Sequence, residues 1–242
     1  MNFKQSIFEA ISEGLKEDYQ SVIDPLNLIT HNSKYSFRWD LVNTNIKVKL
    51  FDSNLEVAVS KSGCWDFLLL LDPNTNQLYS LMNKKRFEQI IAEKTKNKGI
   101  PLYIQSLLLI NASLKGKSEP TLFDLPPIEH DIFTLKYVLG KLCQNLSIED
   151  FSDYTYSVIV FETDFNNNIM GLAVHTLDTN LDEVSVEDWL NETKPVMSTE
   201  IETVSNTEEK PLVKLSKKSE ERKGNKEVSS IKESLSSNET AN

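Results

Sequence analysis

Apolar and polar positions are most regularly ordered between Leu55 and Ile91. Leu55, Val57 and Val59 alternate with Glu56, Ala58 and Ser60, the period of a strand with one wet face. Lys61, Ser62 and Gly63 supply turn chemistry, and Trp65 to Leu71 follows as an almost wholly apolar run. Such a run predicts a strand buried on both faces. At 7 residues it is far shorter than the ~20 a membrane helix needs. Asp72 to Asn76 reads as a turn, because Pro73 presets φ and asparagine tolerates left-handed geometry. Leu78 to Met82 returns as a third strand, and Lys84, Lys85 and Arg86 open a helix that continues through Phe87, Ile90 and Ile91.

Before this meander, Phe3, Ile7, Ile11, Leu15 and Tyr19 mark one face of an amphipathic helix. Tyr35 to Val42 reads as a strand, Asn43 to Asn45 as a turn, and Ile46, Val48 and Leu50 as a further strand, giving about five strands before the helix that starts at Lys84. The short links predict antiparallel pairing. Beyond it, Pro101 opens a helix through Leu102, Leu107 and Ile110, residues 112–129 form a proline-bearing loop, and Ile132 to Leu142 is helical with Asp131 at its start. Ser157 to Glu162 and Ile169 to His175 form a hairpin, and a short helix over Leu181 to Leu190 closes the domain with Trp189 as an anchor. The fold class is therefore α+β: a mostly antiparallel sheet of about five to seven strands, packed by three to five helices, over residues 1–190. From Asn191 to Asn242 no Phe, Trp or Tyr occurs and Ser, Glu and Lys dominate, so a disordered tail is expected.

Charge changes this picture in one place. The chain carries a net charge of −10, yet residues 1–146 are close to neutral. Residues 147–190 hold 10 Asp and Glu and no Lys or Arg, an acidic lobe that contains most of the imbalance. It reads as a solvated face, as a docking face for a basic partner through Asp178, Asp182, Glu183, Glu187 and Asp188, or as a cation site. The third is disfavoured: Asp178 to Asp182 begins like a calcium loop but has Glu183 where glycine is required, and Asp72 to Asn76 fails the same test at Gln77.

Candidate chemistry is sparse. With 7 glycines and no phosphate-cradling cluster, nucleotide-loop motifs are absent. His31, His130 and His175 form no ligand spacing, and Cys64 and Cys143 sit in apolar surroundings and read as buried free thiols. Glu56 and Lys61 fall on opposite strand faces, the wrong arrangement for a nuclease metal site. No catalytic set, metal site or cofactor is expected. Lys84, Lys85 and Arg86, with Lys94, Lys96 and Lys98, form a basic patch able to touch phosphates. Arg38, Trp39, Trp65 and Asp66 are candidates to line a pocket on neighbouring strands, against the plainer role of large core residues. The amphipathic, acid-bearing N-terminus is unlike a signal peptide, so a cytoplasmic protein without membrane partners is expected.

Arg38-Trp39-Asp40, Trp65 before a Leu-rich strand, Leu78-Tyr79 before Met82, Arg86-Phe87, the Leu102 to Leu108 segment and Asn111 together resemble an uncharacterised domain family of low-GC Gram-positive bacteria and their mobile elements, over residues 1–115. The resemblance implies no activity. The function expected is that of a non-enzymatic bacterial interaction protein, of a mobile-element or defence locus, docking an unidentified basic protein through its acidic lobe. The alternative is a nucleic-acid-binding or nucleic-acid-acting protein using the basic helix at 84–98.

Overall fold

The computed structural model describes residues 2–30, 32–95, 100–114 and 130–193. Helices α1 (Phe3–Leu15), α2 (Glu17–Ile23) and α3 (Lys34–Lys49) precede strands β1 (Glu56–Ser62), β2 (Trp65–Asp72) and β3 (Gln77–Asn83). Helices α4 (Lys84–Thr95), α5 (Leu102–Leu108) and α6 (Ile132–Leu142) then cross to β4 (Thr155–Thr163), β5 (Ile169–Leu177) and β6 (Glu183–Asp188), and the short α7 (Leu190–Thr193) ends the described chain. The six strands lie in sequence order in one sheet. Every neighbouring pair is antiparallel except β3 and β4, which run parallel because the α4–α6 crossover separates them.

The sheet is the middle of three layers. In β2, Leu69 and Leu71 face a core shared with Ile90, Ile104, Leu107, Leu139 and Leu142 from α4, α5 and α6. Leu68 and Leu70 face the opposite core, built with Ile7, Ile11, Val42 and Ile46 from α1 and α3. An unbroken apolar strand is what burial on two faces requires. Asn2 caps α1 by accepting the Lys4 N–H, and Asp131 caps α6 by accepting from Thr134. Trp189 is 2 % exposed and packs edge-on against Phe3, so the anchor lies where expected.

The α+β class holds, with two corrections to its elements and more helical segments than the sequence suggested. Tyr35 to Val42 and Ile46 to Leu50 are one helix rather than two strands, leaving three strands before α4. Val42 and Ile46 are fully buried one helical turn apart, whereas Val48, which completed the alternating pattern, is 68 % exposed. Packing against α1 overrides the β-propensity of this β-branched stretch. Leu181 to Leu190 is not a helix. Leu181 takes φ 63°, Asp178 and Asp182 close a turn through Asp178 N–H to the Asp182 carbonyl at 2.9 Å, and the chain returns as β6 along β5. A left-handed residue at that point excludes helical continuation. No described helix is long and apolar enough to cross a membrane. The tail expected from 191 lies outside the described residues after Thr193.

Candidate functional site

Asn83 ends β3 and Lys84 begins α4 with no intervening loop. The Asn83 side-chain oxygen accepts the Arg86 backbone N–H at 2.8 Å, which caps the helix and fixes the direction of its first turn. Lys84, Lys85 and Arg86 are thereby held at the carboxyl ends of β3 and β4, the sheet's parallel pair.

A cleft of about 430 Å³ opens there, lined by Trp39 from α3, Trp65 and Phe67 from β2, Asn83, Arg86 and Tyr103 of α5. It straddles the end of the sheet, from the helix layer on one side to that on the other. A second cleft of about 380 Å³ adjoins it, lined by Arg38, Lys84, Lys85, Glu88, Glu162 and Asn167. Tyr35, Trp39 and Asn83 line both, so the two form one groove. Trp39 and Trp65 meet edge-to-face with ring centroids 6.3 Å apart, and Trp39 meets Phe161 at 5.5 Å. Trp65 remains 46 % exposed and Tyr35 81 % exposed.

The groove's cations are oriented by named partners. Lys84 Nζ sits 2.7 Å from a Glu162 carboxylate oxygen, and that hydrogen bond raises the lysine pKa. Glu162 lies where the β4–β5 ladder shifts register, so a bulge aims it at α4. Arg38 Nη1 donates to the Asn167 side-chain oxygen at 2.9 Å, its guanidinium lies 4.3 Å from the Tyr19 ring centre, and its Nε is buried with no hydrogen-bond partner. Arg86 Nη1 is 3.8 Å from Glu93. Burial raises the Tyr103 pKa, with Arg86 opposing, so the phenol remains a neutral donor.

The structure thus unites two sets of candidates that are separate in the sequence: Arg38, Trp39 and Trp65 on one side, and Lys84, Lys85 and Arg86 on the other. It also corrects them. Trp39 is on a helix, not on a strand beside Trp65. Asp66 lines neither cleft; it is exposed on β2 and lies 3.6 Å from Lys61 across the hairpin. Cys64 is exposed in the β1–β2 turn rather than buried, whereas Cys143 is in the core, where burial pushes its thiol up to about 12. Tyr35, Asn83 and Tyr103 were missed. An asparagine before a basic triplet is a readable helix cap, but nothing local marks Tyr35 or Tyr103 as groove residues.

The acidic lobe is largely engaged within the chain. Asp178, 5 % exposed, accepts the Asn180 and Asp182 N–H groups and shapes the β5–β6 turn. Asp182 pairs with Lys94 at 2.7 Å, Glu183 lies 3.4 Å from His175, and Glu187 pairs with Lys4 at 2.6 Å. Asp188 accepts the Leu190 N–H and caps α7. These five residues belong to β6 and the turns around it, and none lines the groove. Of the histidines, His130 is exposed before α6, His175 packs on Phe87 with the rings tilted by 41° and their centres 4.6 Å apart, and His31 lies outside the described residues, as do Lys96 and Lys98.

No curated protein and no solved structure matches the chain. A family model does, and its match extends well past the residue 115 at which the resemblance in the sequence fades. Covering residues 1–233, it shows that the chain belongs to a family of unknown function, DUF5986.

Proposed function

We propose that this protein binds nucleic acid along the groove at the carboxyl end of β3, with Arg38, Lys84, Lys85 and Arg86 as its phosphate contacts. The observation that carries the reading is the convergence of these four cations, from α3 and α4, on two clefts that share the Trp39 wall. Arginine and lysine side chains position a phosphate backbone whatever its sequence. The net charge of −10 does not oppose this, because the field that matters is local and the carboxylates of β6 lie on the far edge strand. Glu88 and Glu162 are the groove's own competing anions.

Binding of this kind weakens with salt, with a log–log slope of about −0.7 per phosphate neutralised on a single strand. Fluorescence anisotropy of labelled oligonucleotides, titrated at several salt concentrations, is the test. The triple variant Lys84→Ala, Lys85→Ala, Arg86→Ala should bind more weakly and flatten the slope by about 2. Binding that ignored both salt and the triple substitution, or no binding at low salt, would sink the proposal.

A second reading is docking of a basic protein on β6. Its support is that β6 is an edge strand and that Glu183 and Glu187 keep 45 % and 57 % of their side chains exposed despite their partners. Charge reversal at those two positions should abolish any low-salt capture of a basic partner and leave oligonucleotide binding unchanged.

A further inference from the structure

The groove's two halves differ in chemistry, and the difference names the form of nucleic acid. Resting on the reading above, we infer that the ligand is a single strand, with one unstacked base seated in the Trp39–Trp65–Tyr103 cleft and the flanking phosphates crossing the Arg38–Lys84–Lys85 cleft.

The first half is a ring-lined chamber: Trp39, Trp65, Phe67 and Tyr103 supply aromatic surface, with Leu81 and Met82 behind. Its volume of about 430 Å³ is at the small end of ligand pockets, enough for a base and its sugar and too small for a base pair with its stacked neighbours. Trp39 and Trp65 meet edge-to-face, so a base does not insert between them and instead stacks on the ring surface that Trp65 leaves open. Every base has a π face, so such a platform accepts any sequence, but only when the base is out of its duplex stack. The polar groups at hand are few. Ser80 is already bonded to the buried Tyr156 hydroxyl at 2.7 Å, which leaves the Ser62, Tyr35 and Tyr103 hydroxyls, the Asn83 amide and the Arg86 guanidinium at the chamber wall. That is a fixing set rather than a code for one base.

The second half holds Arg38, Lys84 and Lys85 beside Glu88 and Glu162, with no tryptophan beyond the shared Trp39, while Arg86 stands on the chamber side. Tyr35 and Trp39 form the common wall, so a strand that places a base in the first cleft must carry its phosphate past them toward Lys84 and Lys85. A duplex places phosphates there equally well but offers no free base face.

The experiment compares four probes by anisotropy at low salt: oligothymidylate and oligouridylate of about 12 nucleotides, a hairpin-capped duplex of the same length, and an abasic strand of the same charge. The wild type should bind both single strands and lose about 5- to 150-fold on the abasic strand, the span of one stacked base. Trp65→Ala and Tyr35→Ala, at positions 46 % and 81 % exposed, should lose affinity for the base-bearing strands and none for the abasic one. The duplex should bind no better than the abasic strand. Equal affinity for duplex and single strand, or for abasic and intact strands, would overturn this inference while the sensitivity to Lys84, Lys85 and Arg86 kept the broader reading alive. No binding to any probe would remove both.

Discussion

Asn111 is the most informative position for testing how this fold holds its crossover to the sheet. It ends the 3-10 turn after α5 and is fully buried. Its amide Nδ2 donates to the carbonyls of Tyr156 at 2.7 Å and Leu177 at 2.6 Å, and its Oδ1 accepts the Tyr156 N–H at 2.8 Å. One side chain therefore satisfies backbone groups at the start of β4 and the end of β5. Asn111→Ala removes three hydrogen bonds and leaves two carbonyls and one N–H in a dry site. At about 1–1.5 kcal/mol net for each bond, the loss is about 3–5 kcal/mol. That is a large share of the ~5–15 kcal/mol by which domains are stable. Urea unfolding followed by circular dichroism should show the midpoint falling by about 1.5–2.5 M at a typical slope of about 2 kcal/mol per M. Asn111→Asp should be worse at neutral pH, because it turns a buried carboxylate toward the same two carbonyls. A midpoint within about 0.5 M of the wild type, with unchanged slope, would show that these carbonyls find other partners and would refute the accounting.

Two further substitutions test other links. Gly14→Ala adds a Cβ that would lie 2.8 Å from the Val42 nitrogen and 2.9 Å from its Cα, so α1 and α3 must separate. The helix-propensity gain of about 1 kcal/mol should be outweighed by an overpacking cost of about 1–3 kcal/mol, giving a lower melting temperature and, because α3 carries Tyr35, Arg38 and Trp39, weaker ligand binding as well. Unchanged stability and binding would mean that the α1–α3 approach is not constrained. Glu162→Gln frees Lys84 from its carboxylate partner and should tighten oligonucleotide binding about two- to fivefold, the range of an exposed ion pair, with the gain lost when Lys84→Ala is added. A gain that survived Lys84→Ala would show that Glu162 acts through general charge rather than through that lysine.

The groove also explains how an acidic protein can present a basic surface. The positive side chains at the carboxyl end of β3 come from α3 and α4, and of the acidic lobe's carboxylates Glu162 alone lines the groove. Several other lobe carboxylates cap turns or bind lysines elsewhere: Asp178 shapes the β5–β6 turn, Asp182 holds Lys94 and Glu187 holds Lys4. Glu187 is correspondingly held below the usual glutamate range by its hydrogen bond to Lys4. The charge asymmetry that stands out along the chain is thus spent partly on joining β5 and β6 to the helices.

Read along the chain, local periodicity was enough for the β1–β3 meander, the β4–β5 hairpin and α6, and for the first helix as far as Leu15, where the chain breaks at Lys16 and Tyr19 falls in α2. It was also enough for the two-sided burial of β2. It misread α3, where Val42, Ile46 and Val48 fit a strand as well as a helix and packing of Val42 and Ile46 against α1 favours the helix. It misread β6, where the left-handed Leu181 and the Asp178 turn redirect the chain. It misplaced Cys64, whose apolar neighbours in sequence are not its neighbours in space. The candidate site was legible only as fragments. Lys84 and Glu162 are 78 positions apart and Lys4 and Glu187 are 183 apart, so no local pattern could announce which charges pair. Joining the tryptophans to the basic turn required the sheet to bring α3, β2 and α4 to one end, and burial of the two cores, not any motif, is what does so.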